Sequence, residues 1–414
     1  MSARLAVGVD VGSSGVRAVA ITTAREVAAE ARRPMPLPQV TDAAVTQDPE
    51  VWWDAVTAVL DEIGPGRIGA LAVDGTSGTL VLTDADARPL APARLYNDAS
   101  SPAEVARIAA IAPAESGAHG ASSPLAWLLR MQDRFPEAAH ALHQADWIAA
   151  RLTGRVGVSD DNNALKTGWD PVARRWPAWL DRLGVRRVLL PEVSAPGTPI
   201  GRWRDATVVA GTTDGCAAFL ATGATEPGDG VTSLGTTLTL KLLSDVPVFD
   251  PASGVYSHRL GERWLAGGAS NTGGAALLRF FSAEEMRALE PRLDPDRPTG
   301  LDLHPLPRRG ERFPVNDPAM ESRHEPRDPD DARFFQALLE GIAAVEARGY
   351  ARLAELGAPR LRSLRTVGGG AANRAWTAIR ARTLGVPVLE PESGEAAFGA
   401  ALLALPALLA ASSH

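Results

Sequence analysis

Cysteine is almost absent from this 414-residue chain. Cys216 stands alone, which excludes an internal disulfide and a cysteine-based zinc site and fits a reducing cytoplasm. Lysine is nearly as scarce. Lys166 and Lys241 are the only two, and neither lies in a G-x-x-x-x-G-K-[ST] pattern, so a P-loop is excluded. G-x-G-x-x-G is missing, which disfavours a dinucleotide fold. The seven histidines show no H-E-x-x-H or other metal-type spacing, and no serine sits in a G-x-S-x-G elbow. Positive charge is short overall. A net charge of −7 and a pI near 5.6 argue against nucleic-acid and membrane-surface partners, while a local arginine-built pocket for a phosphorylated ligand stays open. Asp10 interrupts the first apolar stretch, so the N-terminus is not read as a signal peptide. The longest uncharged run, Ala396 to Ser413, is broken by Pro406, is too short for a membrane span and is expected as a buried C-terminal helix.

What the chain does have is length and apolar content. With 414 residues, 45% hydrophobic and 22% charged, it favours two globular domains over one and excludes disorder. The most informative stretch is Val208 to Leu240. It reads as a strand, a tight turn at Gly211, a helix opening at Asp214, and then a β-hairpin bent at Gly235-Thr236-Thr237. Asp214 is either a helix cap or a base facing a ligand. Glycine admits a ligand close to the backbone, and threonine hydroxyls with turn amides hold phosphate oxygens.

The first residues echo that hairpin. Gly8 to Ile21 is an apolar strand, a bend carrying Asp10, Gly12, Ser13, Ser14 and Gly15, and a second apolar strand; Gly230 to Leu243 has the same shape. Either bend alone is a plain turn or a phosphate loop. The repeat at half-chain spacing favours the phosphate reading and two related lobes facing one ligand.

Elsewhere the pattern predicts a helix over Gln47 to Leu60, started by Asp48 and Pro49, with Trp52 and Trp53 as packing residues. Ile68 to Thr83 reads as strand, small polar turn (Thr76-Ser77-Gly78-Thr79) and strand. Ser123 to Leu152 reads as helical throughout. Ser159 to Thr167 is expected as a solvated loop, with a substrate-facing role as the alternative. Pro191 to Ile200 reads as a linker, Glu290 to Asp331 as a long surface loop or flap, and Arg333 to Gly357 as a long amphipathic helix. Gly368-Gly369-Gly370 ends a strand; it either lets a flat ring lie on the backbone or serves tight packing. A strand over Leu384 to Leu389 and a helix over Gly394 to Leu409 close the chain.

In order and spacing, these segments resemble the FGGY family of carbohydrate kinases in the actin-like ATPase superfamily. The likeness rests on DVGSSG at 10–15, QDPEVWW at 47–53, ARLYND at 93–98, LTG at 152–154, AGTTDG at 210–215, SLGTT at 233–237, VGGGAAN at 367–373 and FGAALLA at 398–404. It implies an α/β fold of two actin-like (ribonuclease H-like) ATPase lobes around a central cleft. Residues 1–204 would carry the sugar site and first phosphate loop. Residues 205–414 would carry the catalytic base, second phosphate loop and adenine pocket. Asp10, Gly12, Ser13 and Ser14 would form the first phosphate loop and Gly235, Thr236 and Thr237 the second. Gly368, Gly369, Gly370 and Asn373 would bound the adenine pocket. Asp214 would be the catalytic base, Thr76, Ser77 and Asp98 with Asp214 would meet the sugar, and Asp10 and Asp214 would serve Mg²⁺.

Two departures stand out. Members usually have Trp-x-Asp-x-Arg where this chain has Tyr96-Asn97-Asp98-Ala99-Ser100, and the lysine common two residues before Leu-x-Trp is absent around Leu125 to Trp127. The compact length, the YND triplet, the DGTSGT turn and PLPRRGERFPVNDP at 305–318 look like the short D-ribulokinase branch. The implied activity is ATP- and Mg²⁺-dependent phosphorylation of the terminal hydroxyl of a pentulose, most simply D-ribulose, the small-molecule partner being the sugar. D-xylulose or another ketose or polyol is the alternative, and a non-catalytic ATP- or sugar-binding protein of the same fold a further one.

Overall fold

In the computed structural model, residues 4–412 are described, so Ser413 lies outside them. The chain divides into two compact units. Among the described residues the first holds 4–221, 258–261 and 395–412; the second holds 222–257 and 262–394.

The main sheet of the first unit runs in the order Pro199–Trp203, Ala206–Val209, Ile68–Gly75, Leu5–Val11, Gly15–Ile21, Val27–Pro34. Leu5–Val11 lies parallel to Ile68–Gly75 and antiparallel to Gly15–Ile21, which in turn pairs antiparallel with Val27–Pro34. Ala206–Val209 joins parallel to the far side of Ile68–Gly75. Three antiparallel strands continued by two parallel ones is the expected ribonuclease H-like order. The two central strands, LAVGVDV and IGALAVDG, are buried along their whole length because both faces are covered, so they read as continuous apolar runs. Helix Pro49–Ile63 lies on one face, with Trp52, Val56, Val59 and Leu60 in the core beside Val7, Val9 and Leu71. The C-terminal helix Ala396–Ser412 lies on the other, its Ala397, Ala400, Ala401 and Ala404 against Ala6, Ala70 and Ala72. That approach depends on small residues. A Cβ on Gly8 would sit 2.0 Å from the Ala397 carbonyl oxygen, and one on Gly399 would sit 1.8 Å from that of Ala217. Among the described residues no helix is long and apolar enough to cross a membrane.

The second unit repeats the order with different residues: Val388–Leu389, Ser363–Val367, Asp229–Leu234, Leu238–Ser244, Arg263–Ser270. The first two junctions are parallel and the last two antiparallel. Helix Asp331–Glu355 covers this sheet, burying Phe334, Phe335, Leu338, Leu339 and Ile342. A wholly buried ion pair clamps it: Arg380 Nε and Nη2 each reach Glu346 at 2.6 Å, Arg380 Nη1 reaches Thr366 Oγ1, and Thr232 Oγ1 donates to the same Glu346.

Several expectations are corrected. The helix expected over 123–152 is two helices, Pro124–Met131 and Gln144–Thr153, separated by the strand His140–His143, which pairs with Leu80–Thr83; Pro136 cannot sit in a helix interior. The linker at 191–200 is structured, with Glu192–Ser194 paired to Val158–Asp160 and Pro199–Trp203 in the main sheet. Segment 290–331 is irregular, as expected, but firmly seated. The Phe313 ring fills space that only glycine leaves at 268 and 349, and Glu311 accepts from Ser270 Oγ, the Asn271 amide and His304. The strand near 384–389 shrinks to Val388–Leu389, because helix Arg374–Leu384 occupies its start. Residues 205–221 and 395–412 pack with the first unit rather than the second, since Ala206–Val209 and Thr212–Thr213 pair with Ile68–Gly75 and the C-terminal helix lies on that sheet.

Candidate active site

Strand register brings carboxylates together at one end of the first unit's sheet. Asp10 and Asp74 are direct neighbours on the parallel pair, and Thr212 and Thr213 pair with Asp74 and Gly75, so Asp214 follows at the same edge as the first residue of helix Asp214–Ala221. Gly211 lies in the break between Ala206–Val209 and Thr212–Thr213; a Cβ there would lie 1.9 Å from the Val73 carbonyl oxygen.

Burial pushes the Asp10 carboxyl up from the ordinary aspartate range, and the charge of Asp214 adds to this; Arg17, 3.3 Å away, opposes it. Asp74 is fully buried and pushed up further, by burial first and then by Asp10 and Asp214. As a carboxylate Asp74 would have no donor to either oxygen. As a neutral acid its one hydroxyl has Asp10 as acceptor, an interaction that lowers Asp10 and raises Asp74. Asp214 Oδ1 accepts from the Gly215 amide at 2.6 Å. Asp74 was not singled out in the sequence, where it is one acidic residue at the end of an apolar strand.

Both hairpin bends share one construction. In the first, the Gly12 amide donates to Gly15 O, Gln47 Nε2 to Ser13 O, and the Met35 amide to Ser14 O. In the second, Gly235 N donates to Thr237 O, Gly274 N to Gly235 O, and Ala275 N to Thr236 O. The bend carbonyls are thus tied back, while the amides of Ser13, Ser14, Thr236 and Thr237 find no acceptor among the described residues. Amides presented without acceptors at a turn form an anion-binding surface. Gln47 and Trp52 of the QDPEVWW stretch are part of the first support: Gln47 is buried, reaches both Ser13 O and Pro36 O, and accepts from Trp52 Nε1 at 2.7 Å.

Beside the second bend, the three glycines divide. Gly368, at φ +87°, and Gly370 have no room for a side chain: a Cβ would lie 2.8 Å from the Leu234 carbonyl oxygen and 2.7 Å from the Trp376 ring respectively. Packing accounts for these two. A Cβ on Gly369 would meet nothing within 4 Å. Asn373 caps helix Arg374–Leu384, its Oδ1 accepting from the Trp376 amide at 2.8 Å.

The turn after Asp74 is locked from a distance. Gln144 Oε1 accepts from the Thr76 amide and hydroxyl, and the Thr76 and Thr79 hydroxyls lie 2.5 Å apart. The Thr76 hydroxyl is largely used inside the turn, whereas that of Ser77 makes no hydrogen bond among the described residues. Asp98 is not available as a sugar contact. Its oxygens accept from the Val45 amide, Arg94 Nη1 and the Ser100 amide and hydroxyl, filling the four acceptor positions of a carboxylate. The last three of these bonds, with that from Val45, hold it below the usual range despite burial, which acts the other way and is the largest single influence. Segment 159–167, expected as a solvated loop, is buried: Asp160 caps the turn at Asn162 and Asn163, Asn162 Nδ2 reaches Thr212 Oγ1 at 3.0 Å, and Asp161 accepts from Trp169 Nε1.

Among the described residues no group of three or more His, Cys, Asp or Glu side chains is set to hold a metal ion. One or two carboxylates suffice for Mg²⁺, which keeps most of its water and rides on phosphate oxygens. The mutual repulsion of Asp10 and Asp214 is what a hard cation relieves, so the residues present fit that ion.

The chain is similar to known proteins over nearly its whole length. The models of the FGGY family of carbohydrate kinases match over residues 5–213 for the N-terminal domain and 230–408 for the C-terminal domain. A xylulose kinase from Streptomyces coelicolor is 31% identical over 96% of this chain and 86% of its own length, and one from Escherichia coli is 27% identical over 96% and 89%. A crystal structure of a "xyloylose kinase" from Brucella ovis superposes with a TM-score of 0.87 at 26% identity, covering 98% of this chain and 91% of that one. Family models that together span nearly the whole chain, on the twice-repeated sheet order that carries these hairpins, establish that it belongs to the FGGY family of carbohydrate kinases.

Proposed function

We propose that the protein transfers the γ-phosphoryl group of ATP to the terminal hydroxyl of a pentulose, D-ribulose being the preferred substrate. The observation that carries the reading is the pair of bends whose carbonyls are tied back and whose amides at Ser13, Ser14, Thr236 and Thr237 are left to bind anions. Phosphoryl transfer asks mainly for positioning and charge stabilisation, which such amides supply. Asp214 takes the proton from the attacking hydroxyl. Asp10 and Asp214 would hold Mg²⁺, which when bound would neutralise charge on the phosphoryl oxygens. Ser77 offers its hydroxyl to the sugar, on the turn that Thr76 and Gln144 keep rigid. Gly369 lies under the adenine, which explains why this glycine alone of the three has open space above it.

D-ribulose is favoured by the DGTSGT turn, the YND triplet and the PLPRRGERFPVNDP segment together. D-xylulose is the second reading, supported by relatives whose name is xylulose kinase. Sugar-dependent ADP release across ketoses and polyols tests both. D-ribulose is expected to show the highest kcat/KM, with D-xylulose below it. A higher value for D-xylulose selects the second reading, and glycerol or a hexulose above every pentulose sinks both.

A further inference from the structure

Lys166, one of only two lysines in the chain, is partly buried and has an unusual environment for an ammonium group. Its Nζ donates to the Ser77 carbonyl oxygen at 3.2 Å, and no carboxylate among the described residues pairs with it. An ammonium carries three donors, so two are left without a protein acceptor. Nearby His143 offers no negative charge. It is fully buried, its Nε2 lies 3.0 Å from Thr167 Oγ1, and burial first, then Lys166 itself, push its pKa down to about 4 against the Thr79 carbonyl. Half-burying an uncompensated cation is costly, and proteins retain such groups mainly where a ligand completes them.

The lysine is also aimed. Its stem lies against the turn at Gly78, whose φ of +101° favours glycine: a Cβ there would be at ordinary contact distance, 3.5 Å, from Lys166 Cδ, with Pro124 Cδ at 3.8 Å and the Tyr96 Cα at 3.9 Å. The stem thus crosses the same turn that carries Thr76 and the unengaged Ser77 hydroxyl. Its base is rigid. The short turn Leu165–Thr167 follows the buried helix Asp161–Ala164, and Asn162 of that helix is tied to Thr212, two residues before Asp214. Lys166 is therefore keyed to the strand that delivers Asp214 and lies over the turn three residues beyond Asp74.

We propose that Lys166 is a specificity residue for the sugar, its ammonium donating to the ketone oxygen of a bound ketose. A ketone oxygen only accepts, which matches a donor-only group; a hydroxyl in its place brings a proton that an ammonium gives no acceptor. The site then prefers a ketose to the polyol made by reducing it. This rests on the sugar-kinase reading above and deepens it.

The test is kcat/KM for D-ribulose against ribitol and D-xylulose against xylitol, or the ketose and polyol pair turned over best, in wild type, K166M and K166R, with Tm recorded for each. The wild type is expected to favour the ketose by at least about tenfold. In K166M, kcat/KM for the ketose falls about 10- to 100-fold, the worth of a hydrogen bond to a charged group, chiefly through KM. The polyol value stays nearly level, so the ratio collapses; K166R restores part of it. A lysine that merely staples Ser77 would lower Tm and leave the ratio untouched, and that result overturns the proposal, as does a wild type that treats ketose and polyol alike. If K166M does not fold, K166Q, which keeps a donor for Ser77, carries the same comparison. A wild type with no sugar-dependent ADP release would fell the kinase reading itself and this inference with it. An active wild type with an unchanged ratio in the variants would remove Lys166 alone.

Discussion

Asp214→Asn separates catalysis from folding with one isosteric change. The side chain opens helix Asp214–Ala221, and its Oδ1 accepts from the Gly215 amide at 2.6 Å. Asparagine retains that acceptor and caps helices nearly as well as aspartate, so a purely structural role predicts an almost silent substitution. Asparagine cannot take a proton from a hydroxyl. General-base assistance is typically worth about 10² to 10⁴ in rate, or about 2.7–5.4 kcal/mol of barrier, so kcat should fall by that factor. Stability should move the other way. The charge of Asp214 raises both Asp10 and Asp74, meaning that it opposes their ionisation in the folded state. Removing it relieves that repulsion, and Tm should hold or rise by a degree or two, on the order of 1 kcal/mol or less. Steady-state ADP release with sugar and ATP saturating, alongside a thermal melt of the same preparation, reads both. A variant that melts like the wild type and still turns over at near wild-type rate would refute the assignment of the base.

Two further substitutions test other parts of the structure. Gly369→Val is expected to raise KM for ATP far more than KM for sugar with little loss of Tm, because a side chain there meets open space, whereas Gly370→Ala should lower Tm through its clash with Trp376 and Leu234; equal thermal losses in both would return Gly369 to a packing role. Asp160, raised from near 3.8 to about 7 chiefly by burial, binds its proton more tightly in the folded chain than in the unfolded one, so its contribution is fully favourable below about pH 4 and is lost as pH rises through 7. Asp160→Asn should therefore flatten the fall in Tm between about pH 4 and 7, by up to about 1.4 kcal/mol per pH unit, leaving the part owed to Asp146; melts across that range with an unchanged slope would show that Asp160 does not titrate there.

The features readable in advance were local. Each hairpin is an apolar run, a glycine-and-hydroxyl bend and a second apolar run, and Asp214 stands at a strand-to-helix junction; both patterns lie within about a dozen residues. What escaped was set by pairing across long separations. Gln144 is 68 residues from the Thr76 it holds, and Lys166 is 89 from Ser77. Asp74 acquires meaning only when the parallel register places it beside Asp10. Polar composition misled for the same reason. Ser159 to Thr167 reads as solvated, yet it is buried, and hydrogen bonds of Asp160 with Asn162 and Asn163 and of Asn162 with Thr212 offset part of the burial cost that raises Asp160 and Asp161. Asp98, which the family resemblance implies at the sugar, shows the same dependence on distant pairing: Val45, 53 residues away, and Arg94 take two of its acceptor positions.

The two bends also show why a repeated shape does not imply repeated supports. In the first, Ser13 O is held by a side chain, Gln47, whose own oxygen is fixed by the Trp52 indole. In the second, both outer carbonyls are held by main-chain amides, Gly274 and Ala275, which approach because Gly273, at φ +134°, has no Cβ to strike Thr237. The amides left without an acceptor are equivalent in both, and these are what the proposed function gives to an anion. On the proposed phosphate role, anion binding would constrain the bend itself, where glycine and small hydroxyl residues occur in both copies, and would leave each lobe free to secure the back of that bend with whatever its neighbouring element offers. This accounts for the visible echo between Gly8–Ile21 and Gly230–Leu243 and for the lack of any echo of QDPEVWW beside the second hairpin.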